Sequence, residues 1–113
     1  MNKTIANTFG LNVKAQSYFE LDPSTPIDQL PSQFIVLGEG SNLVFLDEFI
    51  DIFLLKVNNQ HYKIEEFEDH YLVQLGAGLN WHNTVARLLD DGIAGLENLA
   101  LIPGTVGAAP VQN

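Results

Sequence analysis

The chain has 113 residues, 46% of them apolar, which fits one globular domain and excludes an intrinsically disordered segment. Fourteen acidic against five basic side chains give a net charge of −9, which argues against nonspecific binding to nucleic acid or to anionic membranes. The absence of cysteine excludes disulfides and thiolate sites, and no apolar run approaches the length of a membrane span. We therefore expect a soluble cytoplasmic protein.

The first half of the sequence predicts short extended segments separated by turns. Residues 11–21 are expected to be extended, and three prolines limit 22–31 to a short helical turn around 27–30. The runs 34–37 and 52–57 are short, apolar and contain β-branched residues, which is typical of buried strands.

Two further strands are predicted in the second half, at 62–65 and at 71–75, the latter closed by the glycines of 76–78. A second short helix is expected near Gly107, where small residues follow a turn. Because strands outnumber helices and do not alternate with them, the sequence predicts an α+β fold rather than a repeating βαβ fold.

One longer helix is predicted between these strands and the end of the sequence. Asn80 is a good N-cap for a helix that runs to about Asp91, and Gly92 is placed to act as its C′ residue. The predicted apolar face consists of Trp81, which we expect to be a core anchor, with Val85, Leu88 and Leu89.

A glycine-rich loop, the first glycine loop, directly follows the strand predicted at 34–37. It consists of Gly38, Glu39, Gly40, Ser41 and Asn42. Its two glycines free the backbone to turn and to present N–H groups to a diphosphate. The spacing is not that of the GxGxxG dinucleotide motif, and an ordinary strand-end turn is the alternative interpretation.

A second glycine-punctuated stretch spans residues 95–113. Within it Pro103 and Gly104 predict a turn, and 104–107 offers a second bare backbone with the hydroxyl of Thr105. Two such loops fit a large phosphate-bearing ligand held from both sides, mainly by backbone dipoles because cations are few. Taken alone, the second loop is better explained as a structural turn.

Other polar residues carry weaker signals. Glu97 lies in an apolar stretch, where a buried carboxyl could act as an acid or base, although pairing or backbone capping is the commoner role. His61, His70 and His82 lack metal-ligand spacing and are interpreted as structural or solvent-facing residues. No catalytic set is visible in the sequence.

Four blocks follow one another in an order typical of one family: NTFG at 7–10, LGEGSN at 37–42, GAGLNWH at 76–82 and GLENLALIPG at 95–104. Together they resemble the UDP-N-acetylenolpyruvoylglucosamine reductases, also called UDP-N-acetylmuramate dehydrogenases. The last block is highly specific to that family. The GEGSN block is shared with the wider vanillyl-alcohol-oxidase-like FAD-binding fold.

The resemblance implies a fold of the vanillyl-alcohol-oxidase-like (PCMH) type, with FAD between two small α/β lobes at 1–58 and 59–113. The second lobe would be incomplete. Each lobe would approach the FAD diphosphate with one loop, and the last two residues would lie toward the isoalloxazine ring. The implied cofactor-binding residues are Gly38, Glu39, Gly40, Ser41, Asn42, Ile102, Pro103, Gly104, Thr105, Gly107, Ala108, Ala109, Gln112 and Asn113.

The family's reaction passes a hydride from NADPH through FAD to the enolpyruvyl group of a UDP-sugar, in peptidoglycan synthesis. Its substrate-binding arginine, proton-donating serine, late glutamate and substrate domain lie beyond the position of Asn113, so no catalytic residue is assigned here. We expect the chain alone to be inactive, to retain little flavin, and to self-associate through exposed core surface. The alternatives are another FAD-dependent oxidoreductase of the same fold and a non-catalytic truncated module.

Overall fold

The computed structural model describes residues 3–5, 7, 9–41 and 43–112. They form three small sheets, one mixed, one parallel and one antiparallel, with few helices, which agrees with the predicted α+β class. The chain divides into two compact units, Met1–Asn58 and Asn59–Asn113. Within the described ranges, no helix is long and apolar enough to cross a membrane.

The first unit contains two three-stranded sheets. Its strands are β1 (Lys3–Ile5), β2 (Val13–Ala15), β3 (Tyr18–Leu21), β4 (Ile35–Leu37), β5 (Phe49–Ile50) and β6 (Leu54–Val57). In one sheet β2 is central, antiparallel to β1 and parallel to β5, and in the other β6 is central and parallel to both β3 and β4. A bend at 16–17 thus divides the predicted extended segment into strands of two different sheets.

The core of the first unit joins the two sheets. Ile5, Val13 and Ala15 from one sheet cluster with Leu37 and Leu54 from the other, and each is at most 3% exposed. The helical turn expected near residue 27 is present as a 3₁₀ turn at Ile27–Gln29.

The prediction of a buried strand at 34–37 is only partly confirmed. Leu37 is 3% exposed, but Ile35 and Val36 are 46% and 57% exposed. The reason is position, because β4 pairs only with β6 among the described strands and so lies at a sheet edge. In the central strand β6, by contrast, Leu54 and Leu55 are both buried.

The second unit is built from a hairpin and a helix. Its elements are β7 (Tyr62–Glu66), β8 (Tyr71–Leu75), α1 (Trp81–Asp90), a 3₁₀ turn (Glu97–Leu99) and the short α2 (Ala109–Gln112). The strands predicted at 62–65 and 71–75 are present as β7 and β8, and they pair antiparallel. Helix α2 begins two residues after Gly107, close to where a second helix was expected.

Both predicted ends of α1 are confirmed. The side chain of Asn80 accepts a hydrogen bond from the N–H of Asn83 at 2.9 Å, as an N-cap does. At the other end Gly92 has φ of +80°, and its N–H donates to the Leu89 carbonyl. The N–H of Ile93 donates to the Leu88 carbonyl. This pair of bonds is a Schellman motif, which requires a left-handed residue at the position of Gly92.

The buried face of α1 is narrower than expected. Val85 and Leu88 are each 1% exposed, whereas Leu89 is 43% exposed, so its predicted burial is wrong. Leu89 is rotated by about 100° from Leu88 on a helix and therefore lies at the edge of the apolar stripe.

Candidate functional site

The first glycine loop leaves the end of β4 through a backbone conformation that favours glycine. Gly40 has φ of +69° and is buried, and Gly38 and Ser41 are half-buried. Among the described residues, the N–H groups of Gly38 and Gly40 have no backbone acceptor. Backbone N–H groups beside a left-handed residue are the donors from which anion-binding concavities are made. Asn42 lies outside the described residues, so its assignment stays a prediction.

The second glycine loop, residues 102–109, is fastened to the turn that precedes α1. The N–H of Trp81 donates to the Gly104 carbonyl at 2.9 Å, and the N–H of Val106 donates to the Leu79 carbonyl at 2.8 Å. Between these two bonds Thr105 and Asn80 form an isolated antiparallel bridge. Gly104, with φ of +107°, and Thr105 are both buried.

Most N–H groups of the second loop already have acceptors within the protein. That of Gly107 donates to the Ala77 carbonyl at 3.0 Å, and those of Ala108 and Ala109 both donate to the Thr105 carbonyl at 3.1 Å. In the described part of the chain, the N–H groups of Gly104 and Thr105 have no such acceptor. The Ile102 N–H also lacks one, and Pro103 has no N–H, so any backbone donors that this loop offers to a ligand are at 102, 104 and 105 rather than at 106–109.

Gly107 has a packing reason to lack a side chain. A Cβ atom added there would lie 2.9 Å from the Cβ of Ala77 and 3.2 Å from its carbonyl oxygen. The glycine lets the second loop approach the 76–79 turn closely, so contact with a ligand is not needed to explain it. Of the two remaining assignments near the end of the chain, exposed Gln112 lies in α2, and Asn113 lies outside the described residues.

Two side chains from the first turn of α1 hold the segment that leads into the second loop. The indole Nε1 of Trp81 donates to the Leu99 carbonyl at 2.7 Å. The N–H of Leu101 donates to Nδ1 of His82 at 2.9 Å. Neither role was predicted from the sequence, although one signal was available: the backbone at the end of the short 3₁₀ turn and just after it needs partners outside regular structure.

The remaining polar candidates have local roles. Glu97 is exposed, not buried, and its carboxylate accepts the Gly95 N–H at 2.6 Å. Hydrogen bonds from the N–H groups of Gly95 and Glu97 lower the pKa of the Glu97 carboxyl, which suits a turn-closing residue rather than a proton donor. His61 contacts Gln74 and His70 contacts Asp69, and no group of three metal-ligating side chains occurs in the described ranges.

A small cleft lies between the hairpin and α1, and none of its lining residues belongs to either glycine loop. Its volume is about 200 Å³, and Tyr62, Asn83 and Arg87 contribute to its lining. The Tyr62 hydroxyl donates to Asp91 at 2.7 Å, and the Arg87 guanidinium lies 3.6 Å from the Tyr62 ring centroid. Burial, with the hydrogen bond and charge of Asp91, raises the pKa of Tyr62 to about 12.

Comparison with known proteins identifies the domain. A family model described as FAD binding domain matches residues 27–113, a range that contains both glycine loops. The chain belongs to this FAD binding domain family. FAD is therefore the cofactor of the domain, as the sequence resemblance implied.

Several curated relatives of the FAD binding domain are named UDP-N-acetylenolpyruvoylglucosamine reductase. Those of Pseudoalteromonas translucida (strain TAC 125), Idiomarina loihiensis and Shewanella oneidensis are 46%, 45% and 40% identical to it over 112, 109 and 114 residues. Each comparison covers 95% of this chain and 32% or 33% of the relative. The chain thus spans about a third of the length of the curated relatives it matches.

Proposed function

We propose that this chain is the FAD-binding portion of a UDP-N-acetylenolpyruvoylglucosamine reductase. The whole protein would reduce the enolpyruvyl group of a UDP-sugar with NADPH, in the cytoplasm, as a step of peptidoglycan synthesis. FAD supplies the hydride-transfer chemistry when bound. The names of the relatives and the order of the four sequence blocks support this reaction over that of another FAD-dependent oxidoreductase.

The proposed fold is of the vanillyl-alcohol-oxidase-like type, with each unit supplying one lobe. Gly38 to Ser41, together with Asn42, would bind the FAD diphosphate from the first unit, and residues 102–109 would bind it from the second. The donor chemistry fits this ligand, because diphosphate oxygens accept hydrogen bonds and the described loops offer N–H groups at Gly38, Gly40, Gly104 and Thr105. Neither loop contains a lysine or arginine, so backbone dipoles would carry the interaction.

The observation that carries the proposal is the left-handed Gly40 in a loop where, among the described residues, the N–H groups of Gly38 and Gly40 have no backbone acceptor. A test is titration of the purified chain with FAD and with riboflavin, followed by quenching of flavin fluorescence. Because riboflavin lacks the diphosphate, FAD should bind saturably and at least about tenfold more tightly, which corresponds to about 1.4 kcal/mol. Binding would be weak enough for the flavin to be lost during purification.

A matched pair of variants locates the effect. Gly40→Ala should weaken FAD binding about tenfold, because alanine disfavours the left-handed conformation and changes the direction of the neighbouring N–H groups. Gly92→Ala imposes the same type of strain at φ of +80°, in open space at the end of α1, and should leave FAD binding unchanged. Equal affinity for FAD and riboflavin, or no saturable FAD binding, would contradict the proposal.

A further inference from the structure

The backbone at 99–101 connects the 3₁₀ turn to the second glycine loop and is held from α1. The Leu99 carbonyl accepts from the Trp81 indole at 2.7 Å, and the Leu101 N–H donates to His82 at 2.9 Å. Trp81 also donates its own N–H to the Gly104 carbonyl at 2.9 Å. One turn of helix therefore contacts this backbone on both sides of Ile102 and Pro103.

Leu101 adopts an unusual conformation that its side chain does not explain. Its φ is +67°, the only positive value among the described non-glycine residues, and the residue is 80% exposed. L-amino acids with a Cβ atom disfavour this left-handed region. Burial of the side chain therefore does not stabilise this conformation, whereas the Leu101 N–H donates to Nδ1 of His82 at 2.9 Å, a contact able to hold it.

The chemistry of this bond places a requirement on the imidazole. Nδ1 accepts the Leu101 N–H, so it carries no proton, and the neutral ring has its hydrogen on Nε2. An asparagine side chain presents its Oδ1 at nearly the same distance from the backbone as Nδ1 of histidine. Asparagine at this position therefore preserves the acceptor without preserving the ring.

We infer that Trp81 and His82 are positioning residues for the second glycine loop. By holding Leu99 and Leu101, they set the direction in which the chain enters 102–105 and so the direction of the N–H groups of Gly104 and Thr105. This inference rests on the proposed function, because it assigns those two N–H groups to FAD. Neither side chain needs to touch the cofactor.

The hydrogen bonds from Trp81 to Leu99 and from Leu101 to His82 are here called the clamp. The experiment first measures the clamp without any cofactor. Hydrogen exchange of the Leu101 amide is followed by NMR in the 113-residue chain and in His82→Ala, His82→Asn and Trp81→Phe. His82→Ala should accelerate exchange of the Leu101 amide at least tenfold, and His82→Asn should restore most of the protection. Exchange of the Val85 and Leu88 amides in the core face of α1 should stay unchanged, which shows that the variants fold.

The same variants are then titrated with FAD. His82→Ala and Trp81→Phe should weaken binding about fivefold or more, and His82→Asn should bind as the unaltered chain does. His61→Ala is the matched control, because it removes a histidine of the same unit whose ring contacts Gln74 instead. It should change neither the Leu101 amide nor the affinity for FAD.

The outcomes separate this inference from the proposed function. Unchanged exchange of the Leu101 amide in His82→Ala would show that His82 does not hold Leu101, whatever the effect of the variant on FAD affinity. Faster exchange with unchanged FAD affinity would overturn the link between the clamp and the cofactor. Absence of FAD binding by the unaltered chain would instead overturn the proposed function and with it that link, whereas the exchange data would still decide the clamp.

Discussion

In the first glycine loop the N–H groups of Gly38 and Gly40 have no acceptor in the described part of the protein, whereas in the second loop those at 106–109 all donate to protein carbonyls. The glycines differ as well. Gly40 is required by its own backbone conformation, and Gly107 by the proximity of Ala77. Similar sequence patterns thus mark two loops that differ in how many of their N–H groups already donate within the protein, and in the second loop only those of Ile102, Gly104 and Thr105 remain among the described residues.

The largest expected effect is on stability, through the second glycine loop. Gly107→Ala should lower the free energy of unfolding by about 1–3 kcal/mol, because the new Cβ overpacks against Ala77. Urea unfolding followed by circular dichroism measures this change. Adding Ala77→Gly removes one of the two atoms in conflict and should restore part of the loss. A double variant no more stable than the single one would show that the Cβ of Ala77 is not the cause.

In the first glycine loop, substitution should lower stability through the backbone conformation rather than through packing. Gly40→Ala should cost about 1 kcal/mol of stability through its backbone alone. Gly40→Asn should cost less, because asparagine tolerates the left-handed region better than alanine does. The same unfolding assay compares the two. Equal losses from both would mean that contacts of the added side chain, rather than φ, decide the cost at this position.

The C-cap residue of α1, Asp91, accepts a hydrogen bond from the hydroxyl of Tyr62 in the hairpin. Tyr62→Phe should cost about 1 kcal/mol at neutral pH, because the hydrogen bond to Asp91 is lost. The folded pKa of about 12 lies above the ordinary value near 10, so the contribution of the protonated hydroxyl is complete below pH 10 and is lost as pH rises through 12. The stability difference between the two proteins should therefore shrink over that range. A constant difference would contradict the role of Asp91.

The smallest effect concerns association between copies of the chain. Val111 in α2 is 87% exposed, and Leu101 is 80% exposed. We expect concentration-dependent self-association, weakened a few-fold by Val111→Glu, which corresponds to less than about 1 kcal/mol. Ala94→Glu adds the same charge to an exposed position of the same unit and serves as the control. Light scattering that shows a monomer at every concentration would rule this expectation out.

Sequence patterns predicted what depends on local geometry. The cap at Asn80, the left-handed Gly92 and the strands β7 and β8 all follow from neighbouring residues. What failed depends on partners distant in sequence. The exposure of Val36 follows from the edge position of β4, and the strands β1 and β5 have only three and two residues, too short for a periodic signal.

The candidate site shows the same division. Glycine spacing singled out both loops, and the resemblance named the cofactor. Neither could show that Gly107 is bare because of Ala77, or that His82 holds Leu101 nineteen residues further along the chain. Such contacts depend on how α1 packs beside the loop, and no periodicity in the sequence encodes that arrangement.

The most direct measurement is an NMR titration of the ¹⁵N-labelled chain with FAD, ADP and riboflavin. If backbone N–H groups bind the diphosphate, the amide signals of Gly38, Gly40, Gly104 and Thr105 should shift with FAD and with ADP but not with riboflavin. The amides of 106–109, which already donate within the protein, should shift much less. Equal shifts with riboflavin, or shifts confined to residues outside the two loops, would contradict the diphosphate assignment.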